Sequence, residues 1–516
     1  MGGVTARDTA DVAVIGTGVA GLATAHALLS RGLTVTVIGP RPGRVPGQAS
    51  AAAGAMLSLF SEADAGQPPD RIELEVRHRL KAFARYPAWL DQLSGHSGHP
   101  EVPLAPGTWV VATDTERDHL ETIAGAARAA AHPAELHDQA AVDGLQPSTR
   151  PAAALWLPSE PSVDITRLLS TLAAAVVRHP RARWHVAPAT DVDLSAVEVR
   201  VHCADHHHVT CAQTVLAAGI GIPGLLGERG RDLDVPPILA GRGVSLLIDT
   251  STPAIQHTVR TPNSAFACGT HLVPRTTTGT VYLGATNRLT LDPVLSGGAL
   301  LDEIATVIRD AARVLDHRLG AASLARAQVG YRPYTIDHLP LVGPSADPRV
   351  LLATATYRCG VLLAPLLADL IADEITEPGT LTTHPYRADR PMPTPRLEDL
   401  LAPAAVRGLT EHTGAVNGLA AQQGSSLADA LLSAATTDSP LGKAITRLVD
   451  RAPVVEILPA LLLLADRLKG HPCPSTPPIP APRSSRPQPS SAPGQAVPPA
   501  ATSSRNSDST PSTASR

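Results

Sequence analysis

Short blocks of consecutive apolar residues punctuate the first three quarters of the chain. Asp11-Val12-Ala13-Val14-Ile15, Val35–Ile38, Val215–Ala218 and Val350–Ala353 are too short for helices and mostly rich in β-branched residues. That is the pattern of strands buried on both faces. Longer stretches with helical spacing, such as Leu22 to Arg31, lie between them. The alternation predicts an α/β domain over residues 1–390. Two strand-rich intervals, around 100–155 and 236–330, interrupt it and predict a second, inserted domain.

Beyond residue 390 the pattern changes. Residues 395–469 read as short helices, including Ser426–Leu432 and Leu441–Arg451, and predict a helical appendage. Val454 to Leu468 is the most apolar stretch, yet Glu456 and Pro459 break it and its longest clean run is Ala460–Ala465. A membrane span needs ~20 apolar residues, so none is expected. Residues 470–516 are dominated by Pro, Ser, Ala and Thr. With little apolar surface to offset the entropy of ordering, they are expected to be a disordered tail.

Composition narrows the function. The 516 residues suggest two or three domains. Lys and Arg number 43 against 47 acids, a net charge of −4, which argues against a basic nucleic-acid binder. Five Cys in so long a chain are not a disulfide scaffold, and they point to a reducing compartment. The amino terminus lacks the apolar run of a secretory signal, so a cytoplasmic enzyme is the expectation.

The first strand runs into Gly16-Thr17-Gly18-Val19-Ala20-Gly21, then a helix, Gly32 and a second strand. A G-x-G-x-x-G between strand and helix is the dinucleotide-binding context. Gly16 permits the tight turn, Gly18 lets backbone approach a pyrophosphate, and Gly21 lets helix and strand pack closely. The helix amino terminus, with Val19 and Ala20, then faces the phosphate charge. The second strand should end on an acid that binds a ribose, but Gly39 stands there, followed by Arg41 and Arg44. Arginines in place of the acid leave NADP open beside FAD.

Further segments carry a resemblance. Gln48 to Leu57 contains Ser50-Ala51-Ala52-Ala53-Gly54-Ala55-Met56, with Glu62 shortly after. His271-Leu272-Val273-Pro274-Arg275 leads to Val281-Tyr282-Leu283-Gly284-Ala285-Thr286. Gly330-Tyr331-Arg332-Pro333-Tyr334 and Tyr357-Arg358-Cys359-Gly360-Val361-Leu362-Leu363 follow. In order and spacing, over about residues 9–388, these resemble the D-amino-acid oxidase family of flavoenzymes and, within it, the glycine oxidases. The resemblance favours non-covalent FAD over NADP.

It implies a Rossmann-like FAD-binding domain of the glutathione-reductase type, made from 1–97, 157–235 and 331–390. An α+β substrate domain, from 98–156 and 236–330, would be inserted into it. Ser50, Ala51, Ala53, Gly54 and Met56 would pass along the flavin. Val186 would contact the adenosine part, and Ala218 and Gly219 would end a strand near the cofactor. Gly360, Val361, Leu362 and Leu363 would start a helix facing the flavin pyrimidine.

Arg332 corresponds to the arginine that grips a substrate carboxylate, a two-point task suited to a planar guanidinium. Arg358 falls on the family's second active-site arginine, with a structural ion pair equally open. His271 stands where a tyrosine lines the substrate pocket, and an imidazole can donate, accept or carry charge there. Cys359 replaces an asparagine and is either a pocket residue or a small buried hydrophobe. No side-chain base is assigned, since the cofactor performs the redox step and protein groups orient the substrate.

The implied activity is oxidation of a small amino acid or amine to the imine, with O2 reduced to H2O2. Glycine is the nearest substrate, as a source of the imine used in thiamine thiazole formation. N-substituted glycines, including intermediates of specialised metabolism, would use the same carboxylate clamp. The alternatives are an NADP-dependent oxidoreductase or a non-catalytic flavoprotein acting through its carboxy-terminal extension. A homo-oligomer is allowed. Cys203, His206-His207-His208 and Cys211 lack the usual spacing of zinc ligand pairs and read as two strands joined by a solvated turn, so no metal is assigned.

Overall fold

The computed structural model describes residues 9–392, apart from 44, 64–66, 113–115, 139–141, 143–144, 149–150, 250–254, 264–268, 291–292, 294 and 296. The helical appendage and the proline-rich tail expected from the sequence lie outside the described residues, as does Arg44.

Two mixed sheets organise the rest. In the first, β1 (Thr9–Ile15) is flanked in parallel by β2 (Val35–Ile38) and the strand His208–Leu216. Ala182–His185 extends it beyond β2, and Val350–Thr354 beyond the other side. Between β1 and β2 lies helix α1, Val19–Ser30. It is apolar almost all round, and so must be covered on every side. The helices Ile165–Arg178 and Gly360–Thr376 pack against it, and Leu22, Leu28 and Ala23 are fully buried.

The second sheet pairs Leu239–Asp249 along its whole length with Ser323–Tyr334. It continues through Val281–Gly284, His271–Pro274 and Thr258–Arg260 to Thr108–Ala112, Ala153–Leu157 and Glu135–Asp138. Register places Arg332 opposite Gly241 and Tyr331 opposite Arg242. The Arg242 guanidinium is buried, forked onto both oxygens of Glu303 at 3.0 Å and donating to the Tyr331 hydroxyl at 2.8 Å. This charge-assisted clamp fixes the strand pair one residue from Arg332.

The loop 45–57, which follows β2, reaches the second sheet where Gln48 bridges to Tyr331, and Met56 bridges to Ser162 of a separate two-stranded sheet formed with Leu104–Ala105. Among the described residues, no helix is long and apolar enough to cross a membrane.

Candidate active site

At the carboxyl end of β1 the chain turns through Gly16 with φ +124°, and a Cβ there would lie 2.4 Å from the Ala217 carbonyl oxygen. A Cβ on Gly21 would meet the Gly16 carbonyl at 2.1 Å, which is why helix and turn can pack so closely. Gly18 is the N-cap of α1, whose first turn carries no acid. Ser50 comes across to accept the Val19 N–H at 3.0 Å. The helix end therefore presents positive potential to a neighbouring cavity.

That cavity, of about 480 Å³, runs from this turn to Arg332 and Arg358. Gly16, Gly18, Val19, Ala20, Ser50, Ala53, Gly54, Met56, Ala218, Gly219, Gly360 and Val361 line it. Ala51, Leu362 and Leu363 stand outside the lining, the two leucines buried in the core beneath the helix start. Val186 also lies outside it, 51% exposed, while Pro188 and Ala189 border the cavity instead. An acid-free helix amino terminus, glycines whose side chains would clash, and an elongated cavity fit a dinucleotide.

Gly39 sits at φ +141°. Its N–H donates to the His185 carbonyl and its carbonyl accepts from Trp184 Nε1, both at 2.9 Å. Arg41, which left a 2′-phosphate open, lies over the Trp184 ring at 4.2 Å.

One wall of the cavity is held by side chains to which the sequence motifs gave no role. Gln328 donates to the Ala51 carbonyl, and Tyr282 and Ser245 donate to that of Ala52. Arg275 donates to those of Ala53 and Gly54. Four successive carbonyls are thus anchored on the second sheet.

At the far end, Arg332 Nη1 donates to Asn287 Oδ1 at 2.9 Å and to the Thr286 carbonyl at 3.2 Å. Among the described residues no carboxylate lies within ion-pair distance of it. Its guanidinium passes over Gly243, where a Cβ would lie 2.4 Å from Nη1. Asn287 in turn donates to the Tyr357 hydroxyl at 2.8 Å.

Arg260, absent from the sequence reading, is the largest fully buried side chain among the described residues. It bonds Glu62 at 2.7 Å, Asn263 at 2.7 Å and Ser61 at 3.3 Å. Arg358 Nη1 is 3.5 Å from the other oxygen of Glu62, and its guanidinium lies over the Tyr357 ring at 4.7 Å. Arg358 therefore lines the cavity and shares a buried acid with Arg260. Burial would raise the Glu62 carboxyl, but Arg260, Arg358 and Arg79 bring it down to about 2. Arg79 is itself paired with Glu75, so Arg260 and Arg358 share the single Glu62 carboxylate, and with Arg332 they leave this end of the cavity positive.

His271 is buried in the lining, its ring stacked on Tyr282 with centroids 5.5 Å apart. Nδ1 lies 2.8 Å from the Gly269 carbonyl, to which it donates, so Nε2 is left as an acceptor. Burial first, then Arg260, pushes its pKa down to about 3. Of the three roles open to it, accepting a hydrogen bond is the one this environment allows near neutral pH. A Cβ built on Gly54 would sit 3.2 Å from Nε2, so glycine keeps the space beside that lone pair open. Cys359 stands outside the lining, packed against the core with its thiol pushed up to about 11 by burial.

A glycine oxidase of Geobacillus kaustophilus is 26% identical over 378 residues, covering 72% of this chain and 94% of the relative. A bifunctional ThiO/ThiG protein of Nostoc sp. is 28% identical over 385 residues, and the chain spans 53% of that longer relative. The crystal structure of the Geobacillus kaustophilus glycine oxidase superposes with a TM-score of 0.64 at 24% identity, covering 75% of this chain and all of that one, so the fold is shared. Residues 11–374 match the DAO family of FAD dependent oxidoreductases, and the chain belongs to that family.

Proposed function

We propose that the protein oxidises the Cα–N bond of a small amino acid, glycine or an N-substituted glycine, to the imine. Two electrons and two protons leave the substrate and end on O2, giving H2O2. FAD, when bound without a covalent link, would supply the two-electron chemistry between substrate and oxygen, with the Gly16–Gly18 turn and the start of α1 holding its pyrophosphate. The first sheet serves as a Rossmann-like flavin domain of the glutathione-reductase type, and the second as the inserted substrate domain.

Arg332 carries this reading. Its guanidinium faces the cavity, spends Nη1 on Thr286 and Asn287, and retains donors for a two-point carboxylate grip. The positive surroundings have a second effect: they disfavour an ammonium in the cavity and so supply the neutral amine that oxidation requires. His271 Nε2 accepts an N–H from that amine and turns the substrate. The Tyr282 ring stacked beside His271 bounds the room there, which the absent side chain of Gly54 leaves open to a small group.

The test is anaerobic bleaching of the flavin with a panel of glycine, sarcosine and other N-substituted glycines, followed by peroxide release in air. Arg332→Ala should raise KM for the best carboxylate substrate at least tenfold while retaining FAD, since a charge-assisted contact contributes ~1.5–3 kcal/mol. An unchanged KM removes Arg332 from the site; no bleaching across the panel removes the activity.

A further inference from the structure

We propose that the hairpin turn at Ala204–Asp205, which the sequence leaves as a solvated turn, is half of a site for a borderline-soft divalent cation such as Zn²⁺. The strand Val199–Cys203 ends on Cys203, and the chain reverses through His206 at φ +66° into the strand His208–Leu216. The other half comes from a strand the sequence places eighteen residues earlier. His185, the last residue of Ala182–His185, points its Nε2 at Asp205 Oδ1, 3.1 Å away.

Together His185, Cys203 and Asp205 offer one imidazole nitrogen, one sulfur and one carboxylate oxygen, all within 4.8 Å of one another. Ligand bonds of about 2.0–2.3 Å place tetrahedral donors about 3.3–3.8 Å apart, so small side-chain rotations close the site. A donor set of nitrogen, sulfur and a single oxygen suits zinc and disfavours magnesium or calcium, which take oxygen ligands. His207, whose ring centroid lies 5.6 Å from that of His185, or a water completes the set.

A hydrogen bond that merely pins the turn would need His185 and Asp205 alone. Cys203 has no part in such a bond. It is 4% exposed, and among the described residues its sulfur makes no hydrogen bond, although it lies beside two ligating groups. Cys211, the other cysteine of the motif, is instead buried and donates toward the Val199 carbonyl, so it is not a ligand. Binding forms a sulfur–metal bond and releases the Cys203 proton to water. Asp205, half exposed on the turn, gives the cation its entry.

The place of the site gives it a structural consequence. The His185 carbonyl receives the Gly39 N–H, and the Ala204 N–H donates to the carbonyl of cavity-lining Pro188 at 2.9 Å. A cation joining His185 to the turn therefore ties together two segments that flank the Gly39 end of the cavity.

Untagged, FAD-loaded full-length protein kept reduced should retain one equivalent of added Zn²⁺ through gel filtration. X-ray absorption at the zinc edge should then show one sulfur neighbour at about 2.3 Å among nitrogen and oxygen neighbours. Cys203→Ser and His185→Gln should each lower retention at least tenfold with flavin content unchanged. Asp205→Asn lies on the exposed turn, away from the buried strands, and should weaken retention too. The proposal fails if the wild-type protein retains no zinc or if the bound zinc has no sulfur neighbour. It fails equally if all three variants hold zinc as tightly as wild type, which would leave binding to the surface histidines.

Discussion

Arg332 can lie across the second sheet because residue 243 has no side chain. Gly243→Ala would put a methyl group where Nη1 now sits, and the flexible end of the arginine is what gives way. The expected outcome is a folded, yellow protein whose KM for carboxylate substrates rises tenfold or more, while FAD content and Tm stay near wild type. A variant with unchanged KM would show that the guanidinium binds substrate from a different position. Arg332 itself was legible in the sequence, since it sits in a run of residues with a recognisable order. Gly243 and Asn287 were not, because the pairing of distant strands and the turn after Val281–Gly284 bring them against it, across 89 and 45 residues. Arg260 was hidden for the same reason. Its strand, Thr258–Arg260, is three residues long, and nothing local says that Glu62, 198 residues away, will neutralise it.

At the scale of elements, the helix Gly360–Thr376 contains Pro365. Proline lacks the N–H that would bond the Val361 carbonyl one turn earlier. Tyr86 replaces it, its buried hydroxyl donating to that carbonyl at 2.6 Å. This repair holds the helix start, where Gly360 and Val361 line the cavity. Tyr86→Phe leaves a buried carbonyl unsatisfied and should cost about 1–3 kcal/mol in reversible denaturant unfolding. A loss below about 0.5 kcal/mol would mean that water takes the place of the hydroxyl. The strand–turn–helix unit at the amino terminus was predictable because its periodicity and glycines are local. The long pairing of Leu239–Asp249 with Ser323–Tyr334 was visible only as strand-rich sequence, since pairing partners leave no local signature.

For the molecule as a whole, acid should be destabilising well before the carboxylates protonate. Burial is the main cause that pushes His26 down to about 4, His271 to about 3 and His384 to about 4. The unfolded chain takes up protons at these sites as pH falls through about 6.5, whereas the folded chain does not until near pH 4 or below. Stability is therefore complete above about pH 6.5 and is lost as pH falls toward these folded values. For the nearly inaccessible His26 and His271 the slope is about 1 kcal/mol per pH unit each. The Glu62 carboxyl, held at about 2, adds a further loss between pH 4.5 and 2. Tm should decline steadily from pH 7 to pH 5, and His26→Gln should make the decline shallower. A Tm that stays level over that interval contradicts the assignment of these histidines as neutral and buried.

The anchoring of the loop carbonyls of residues 51–54 on Gln328, Tyr282, Ser245 and Arg275 ties two events that could otherwise be separate. The sheet that carries Arg332 also supports the wall beside the dinucleotide cavity, so neither can loosen by itself. During heat inactivation, release of flavin fluorescence and loss of substrate protection should follow a single time course. Engineering a wider substrate pocket by reshaping that sheet would, by the same coupling, shorten the working life of the holoenzyme.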